Sequence, residues 1–263
     1  MTSRDLADLR WARDLLETPR LAMRLVEWSG KPLEFLLRHL PGPLAWFIRY
    51  PVQKALTHAL RVAVIGLPAD DRPGAARRHR FAAVASGAAG GFFGLPALPW
   101  ELPVSTVILL RAIADIARSE GEDIRNMEGR LACLSVFALG AGKDAGPSES
   151  AYFAVRAAIS REVVKAAEYL SVRGLAEESA PALLQFLTRI GARYGLVVSE
   201  KLVLQFLPLI GALLGGGVNW IFARHFQETA RGHFIIRRLE RRYGEAVVRR
   251  AYLNLSSGNR KYG

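Results

Sequence analysis

Two long stretches without a charged residue place the strongest constraint on the fold of this chain. They are Phe81–Trp100, of twenty residues, and Leu202–Ala223, of twenty-two. Each is long enough to cross a bilayer, because the hydrocarbon core needs about twenty apolar residues of helix. Prolines interrupt both stretches, which favours burial within the protein over a membrane span. An integral helical hairpin is the alternative.

Glycines recur in both stretches at spacings that suit close contact between helices. A glycine inside a helix costs about 0.8–1 kcal/mol relative to alanine, so these glycines need a compensating gain. Small residues four positions apart share a helix face and let two backbones approach each other. The residues that we assign to such packing are Gly87, Gly90, Gly91, Gly94, Gly211 and Gly215, together with Asn219. We therefore predict two central, glycine-rich helical segments that pack against each other.

The rest of the chain has helical periodicity as well. Runs with a two-residue alternation between turn signals are lacking, so the sequence predicts an all-α fold, a multi-helix bundle. Pro51 and Pro103 are expected in the first turns of helices, where a missing N–H costs nothing. The N-terminal helices are predicted over about 3–17, 19–29, 32–40 and 51–66.

The predicted helix 51–66 is amphipathic. Lys54 and Arg61 lie on its polar face, and its apolar face consists of Val52, Ala55, Leu56, Ala59 and Ala63. A surface helix of a globular protein explains this pattern, and so does a helix that lies in a membrane interface.

Breaks in the periodicity divide the chain into four parts. Residues 1–66 hold the N-terminal amphipathic helices, and residues 67–80 form a basic linker with a Pro-Gly break. Residues 81–250 form the main helical domain, in which one helix is expected to end before Gly174. Residues 251–263 remain as a C-terminal tail.

Charged residues between the two apolar stretches are the best candidates for chemistry. They are Glu101, Arg111, Asp115, Glu128 and Arg130. If the carboxylates converge, they could hold Mg²⁺ or Ca²⁺, which take oxygen ligands, or act as acid and base. Alternatively, each carboxylate is neutralised by an arginine beside it. We favour this second interpretation.

Other kinds of catalytic site find little support in the sequence. The single cysteine, Cys133, excludes an internal disulfide and lies in an apolar run that is typical of a buried thiol. The five histidines lack the paired spacing of a zinc site, and no nucleophile elbow or phosphate-binding loop is present. We therefore assign no catalytic residue and expect no metal and no cofactor.

An excess of basic residues points to an anionic partner. Lys and Arg number 36 against 24 Asp and Glu, a net charge of +12, and the N-terminus lacks the apolar core of a secretory signal. Solvated helix faces, anionic lipid and nucleic acid all suit such charge, but no nucleic-acid recognition motif accompanies it. The cations that we assign to anionic lipid are Lys54, Arg61, Arg77, Arg78, Arg237, Arg238, Arg241 and Arg242.

Several ordered blocks of the sequence resemble the EcsC protein family. They are GAAGGFFGLP from Gly87, ELP from Glu101, LLRAIADIAR from residue 109, EGRLACLSVFALG from Glu128, YFAVRAA from residue 152 and LPLIGALLGGGVN from residue 207. The resemblance covers about residues 80–245 and implies a bacterial, largely helical protein. That family is named for association with an ABC-type exporter and has no agreed enzymatic activity. Its shared positions correspond to Gly90, Gly91, Glu101, Arg111, Asp115, Arg130, Gly211, Gly215 and Asn219.

These features together predict a non-catalytic accessory protein that contacts anionic lipid. We expect it peripherally on the cytoplasmic side of the inner membrane, where it would support an ABC-type transporter or envelope homeostasis. A metal-dependent enzyme that uses the Glu/Asp/Arg cluster is the alternative function. Nucleic acid is the less favoured partner, and the sequence does not specify the oligomeric state.

Overall fold

Helices make up nearly all of the chain that the structure describes. The computed structural model describes residues 1–17, 44–66, 98–140, 151–175, 180–205 and 208–258. Eight helices and no strand occur within these ranges, which confirms the all-α prediction. The helices are α1 (Ser3–Glu17), α2 (Leu44–Ile65), α3 (Leu98–Ser119), α4 (Met127–Leu139), α5 (Ala151–Arg173), α6 (Pro181–Gln205), α7 (Pro208–Tyr243) and α8 (Glu245–Gly258).

Local signals set several of the helix ends. The side chain of Asn126 accepts a hydrogen bond of 2.6 Å from the backbone N–H of Gly129 and so caps the start of α4. Helix α5 ends before Gly174, as predicted. Gly244 has a φ of +86° and separates α7 from α8, because glycine adopts this left-handed conformation without the strain of a side chain.

The predicted starts of two helices are wrong. Helix α2 begins at Leu44 and α3 at Leu98, so that Pro51 and Pro103 lie inside these helices and not in their first turns. Each proline removes one backbone hydrogen bond. The helices continue because their apolar faces are buried: Leu102 and Val52, next to the prolines, are at most 3% exposed.

Other predicted boundaries compare as follows. Helix α1 has the expected bounds of 3–17, and α8 (Glu245–Gly258) continues across the boundary between residues 250 and 251, where we placed the start of a tail. The predicted helices 19–29 and 32–40 and the linker 67–80 lie outside the described residues.

The main core is formed by α2 to α7. The predicted apolar face of α2, which includes Leu56, is buried there. Aromatic rings fill the centre, with the Phe137 centroid 4.9 Å from that of Tyr194 and 5.3 Å from that of Phe226. Helix α7 contacts α1, α3, α4, α6 and α8, and so connects this core to a second cluster formed largely by α1, α7 and α8.

The glycine-rich stretches are described only in part. Residues 81–97, with Gly87, Gly90, Gly91 and Gly94, lie outside the described residues. The second stretch is divided between the end of α6 and the start of α7, which contains Gly211 and Gly215. The predicted packing of the two stretches therefore stays a prediction. No helix in the described part of the chain has the length and apolar character that crossing a membrane requires.

Candidate functional site

A buried ion pair joins three helices at one end of the bundle. Lys201 on α6 is completely buried, and its Nζ donates a hydrogen bond of 2.7 Å to Oε1 of Glu101 on α3. Asn219 on α7 donates to the same oxygen at 3.4 Å. The ammonium group also lies 5.0 Å from the ring centroid of Phe222. A carboxylate, a cation and an amide from three distant parts of the sequence thus form one polar cluster inside an apolar core.

Helix position helps to accommodate the negative charge. Glu101 lies in the first turn of α3, where the helix dipole favours a carboxylate. Lys201 precedes the last turn of α6, so its ammonium group depends on the carboxylate of Glu101 and not on a helix end.

A second buried polar pair involves the same two helices, α3 and α6. Thr106 donates to the carbonyl oxygen of Leu102 and lies 2.8 Å from the hydroxyl of Tyr194. Burial raises the pKa of Tyr194, and the charge of Glu101 adds to this increase. Tyr194 is therefore neutral at physiological pH and contributes a hydrogen bond, not a charge.

Two exposed tryptophans flank the buried ion pair. Trp100 precedes Glu101 and is 73% exposed, and Trp220 follows Asn219 and is 40% exposed. Each has a cation near its ring: Lys54 Nζ lies 4.5 Å from the Trp100 centroid, and the Arg224 guanidinium carbon lies 5.4 Å from that of Trp220. Because Glu101 and Asn219, the sequence neighbours of the two tryptophans, are in contact, we group Trp100, Trp220, Lys54, Arg224 and the exposed Tyr50 and Val104 as one candidate contact surface, which we call the tryptophan face.

The other predicted cluster residues do not share contacts with Glu101. Arg111 is exposed, and Asp115 pairs with Arg118 at 3.2 Å. Glu128 lies 3.9 Å from Arg237. Arg130 donates hydrogen bonds of 2.9 Å to the carbonyl oxygens of Ile124 and Val64. Within the described ranges, no three His, Cys, Asp or Glu side chains are grouped so as to hold a metal ion.

Arginines near the end of α7 bind carboxylates of the same chain. Arg237 donates two hydrogen bonds to Glu122, and Arg241 binds the same carboxylate. Burial by itself raises the pKa of Glu122, but the hydrogen bonds and charges of the two arginines hold it below its usual value. Arg237 is thus largely engaged within the fold.

Two further arginines of this group bind the N-terminal helix. Arg238 reaches Asp8 at 2.6 Å, and Arg242 lies 3.5 Å from Asp5. The hydrogen bonds of Thr2 and Tyr243 lower the pKa of Asp5 to about 2. Of the cations that we assigned to lipid, Lys54 lies in the tryptophan face and Arg61 is exposed on α2, whereas Arg77 and Arg78 lie outside the described residues.

A buried hydrogen-bonded histidine links α5 to α7. His233 is 2% exposed, and its Nδ1 lies 2.8 Å from the hydroxyl of Tyr152. Burial lowers the pKa of His233 well below its usual value, and the charges of Arg156 and Arg237 add to this effect. Arg156 in turn donates two hydrogen bonds to Glu240. We interpret this group as structural, because a neutral histidine and a paired arginine suit a packed interface.

Sequence reasoning missed two parts of the candidate site. Lys201 directly precedes the uncharged stretch, and its seven-residue spacing from Tyr194 places both on the core-facing side of α6. That spacing could have identified a buried lysine. The exposure of Trp100 and Trp220 had no such signal, because both belong to uncharged stretches for which the sequence predicted burial.

Comparison with known proteins identifies one family. The model of the EcsC protein family matches residues 58–239, which include Glu101, Lys201, Asn219 and both tryptophans of the tryptophan face. No curated protein and no solved structure matches the chain.

Proposed function

We propose that this chain, which belongs to the EcsC protein family, is a non-catalytic helical accessory protein that contacts anionic membrane lipid through its tryptophan face. It would act peripherally on the cytoplasmic side of the inner membrane and support an ABC-type transporter or envelope homeostasis. The observation that supports this proposal is the pair of exposed tryptophans, each beside a cation, one at the end of the first apolar stretch and one three residues before the end of the second.

The chemistry of this face suits the boundary between lipid and water. Tryptophan has a large apolar ring and one N–H donor, and it is enriched where one end of a side chain is apolar and the other is wet. A Lys or Arg near an anionic surface contributes about 1 kcal/mol of attraction. Lys54 and Arg224 therefore provide the charge, and Trp100 and Trp220 provide the apolar area.

The location of this contact differs from the one that the sequence suggested. Arg237, Arg238, Arg241 and Arg242 bind carboxylates of α1 and of the segment between α3 and α4, so much of their charge is compensated within the fold. Glu101, which pairs with Lys201, directly follows Trp100 in the sequence, and Asn219, which binds the same carboxylate, directly precedes Trp220. The backbone beside each tryptophan is therefore held by a buried polar contact.

Vesicle flotation tests the proposal. We expect the protein to float with vesicles that contain phosphatidylglycerol and to dissociate as salt increases, because exposed charges are screened within about 10 Å at 0.1 M salt. Neutral phosphatidylcholine vesicles should bind much less. Replacement of both Trp100 and Trp220 by alanine should reduce binding at least tenfold, since burial of an aromatic side chain contributes about 1.5–3 kcal/mol.

Trp11 provides a matched control. It is 47% exposed on α1, and the guanidinium carbon of Arg231 lies 5.7 Å from its ring centroid. W11A removes an exposed tryptophan beside an arginine at another site and should float like the wild type. Failure of the wild type to float, equal binding to neutral vesicles at all salt concentrations, or equal loss in W11A would refute the proposal. Extraction from membranes by alkaline carbonate would separate peripheral contact from an integral hairpin.

A further inference from the structure

A long apolar groove runs between α2 and α6, apart from the tryptophan face. Its volume is about 410 Å³. Ile48 and Val52 line it from α2, and Leu184, Leu187 and Leu196 line it from α6. Leu184 and Leu196 are 42% and 48% exposed, so two large apolar side chains of its wall remain uncovered.

The shape of the groove fits one hydrocarbon chain. Its lining on α6 runs from Leu184 to Ser199, a length of about 22 Å at 1.5 Å per residue. The volume divided by this length gives a mean cross-section close to that of a single extended chain. A methylene group takes a volume similar to that of a water molecule, about 30 Å³, so the groove holds a chain of about a dozen carbons.

Two glycines of α6 keep the groove open. Gly191 and Gly195 both line it. A Cβ atom at Gly195 would meet no other atom within 4 Å, and one at Gly191 would make only an ordinary contact of 3.5 Å with Leu56. Neither glycine is therefore required by the packing of the described residues, although glycine destabilises a helix interior relative to alanine. Because they carry no side chain, these glycines leave the space between α2 and α6 open.

One side of the groove is polar and cationic. Arg49 lines it, is exposed, and forms no ion pair or hydrogen bond within the described part of the chain. Gln53, Thr188 and Ser199 are the other polar residues of the lining. An arginine can bind a carboxylate through two parallel hydrogen bonds. The groove therefore combines an apolar channel with a free donor for an anionic head group.

We propose that the groove between α2 and α6 binds the single acyl chain of a medium-chain fatty acid, with Arg49 at its carboxylate. Arg49 is adjacent in sequence to Tyr50 of the tryptophan face, but none of that face's residues lines the groove. The volume of the groove suits one acyl chain better than the two chains of a phospholipid. Fatty-acid binding requires no vesicle, so this proposal and the proposed function can fail independently.

A chain-length series tests the fit. The probe is dansylaminoundecanoic acid, a fluorescent fatty acid whose chain is short enough for the groove, and saturated fatty acids of increasing length displace it from the full chain. We expect the affinity to increase about fourfold for each added methylene group and to level off near a dozen carbons, where the groove is full. Absence of probe binding, or affinity that continues to rise at the same rate with longer chains, would overturn the proposal.

Substitutions locate the binding. G195L projects a side chain into the groove and should weaken binding at least tenfold. Leucine favours helix more than glycine does, so the variant is expected to keep the wild-type Tm or exceed it. The control is V172L, at a residue of α5 that is 83% exposed and outside the groove. If G195L binds the probe as tightly as V172L does, the groove is not the site.

The head group is tested with a neutral ligand. The wild type should bind a fatty acid more tightly than the fatty alcohol of the same length, because only the acid carries a charge for Arg49. R49Q should abolish this preference and leave alcohol binding unchanged. An undiminished preference in R49Q would overturn the role of Arg49.

Discussion

Replacement of Lys201 by methionine should reduce the free energy of unfolding by about 3–5 kcal/mol, the usual cost of removing one partner of a buried ion pair. The 2.7 Å distance between Nζ and Glu101 Oε1 corresponds to a Coulomb attraction of about 6 kcal/mol at an effective dielectric constant of 20. Desolvation of the two ions costs several kcal/mol each, so the pair adds little net stability although its disruption is expensive. The variant leaves the Glu101 carboxylate buried without its cation.

Urea denaturation followed by circular dichroism measures the loss of unfolding free energy. In thermal unfolding, the Tm of K201M should be roughly 10 °C below that of the wild type in a chain of this size. K165M is the matched control, because it removes an exposed lysine of α5. We expect the double variant K201M/E101L to recover most of the lost stability, since an apolar pair of similar volume is often neutral or stabilising. A cost below about 1 kcal/mol for K201M, or additive losses in the double variant, would refute this reasoning.

Three further outcomes follow from other parts of the fold. Burial lowers the pKa of His233, so below the ordinary value of 6.5 the unfolded state binds a proton that the native state does not. The free energy of unfolding should therefore decrease as the pH falls, by up to about 1.4 kcal/mol per pH unit. H233Q should flatten this slope in thermal unfolding at pH 7 and 5.5. A Cβ at Gly232 would lie 2.7 Å from Leu16 Cγ, so G232A should lower the free energy of unfolding in urea by about 1–3 kcal/mol. A Cβ at Gly195 would meet no atom within 4 Å, so G195A should raise it by up to about 1 kcal/mol. Equal effects of the two variants would contradict the packing argument. Cys133 is completely buried and burial raises the pKa of its thiol, so a thiol-specific reagent at pH 8 should react only after urea unfolds the chain, and rapid labelling of the native protein would disprove this.

The sequence was a better guide to which helix faces are buried than to where the helices begin. The apolar stripe of α2 was sufficient to predict which face is buried, because a helix period fixes which residues share a side. Pro51 misled the prediction of the helix start, since the burial of Val52 and Ile48 on the same face favours continuation through the proline. The end of α5 before Gly174 was predicted correctly, because a glycine that ends a helix needs no contact with another helix.

Two members of the buried cluster were predictable from the sequence, but their contacts and the third member, Lys201, were not. Glu101 and Asn219 were both selected from the sequence, but their contact depends on the packing of α3 against α7, which residue spacing does not specify. The same limit applies to Arg237 and Arg238. Their density suggested an outward-facing charge, whereas Glu122 and Asp8 come from other elements and compensate it.

Helix α7 gives the molecule a mechanical connection between its two ends. Eighteen residues separate Trp220 from Arg238, so a rod about 27 Å long runs from the tryptophan face to the anchorage of α1. A tilt of about 10° at one end of such a rod would displace the other by roughly 5 Å, more than the reach of an ion pair. A tilt of α7 that α1 did not follow would therefore separate Arg238 from Asp8.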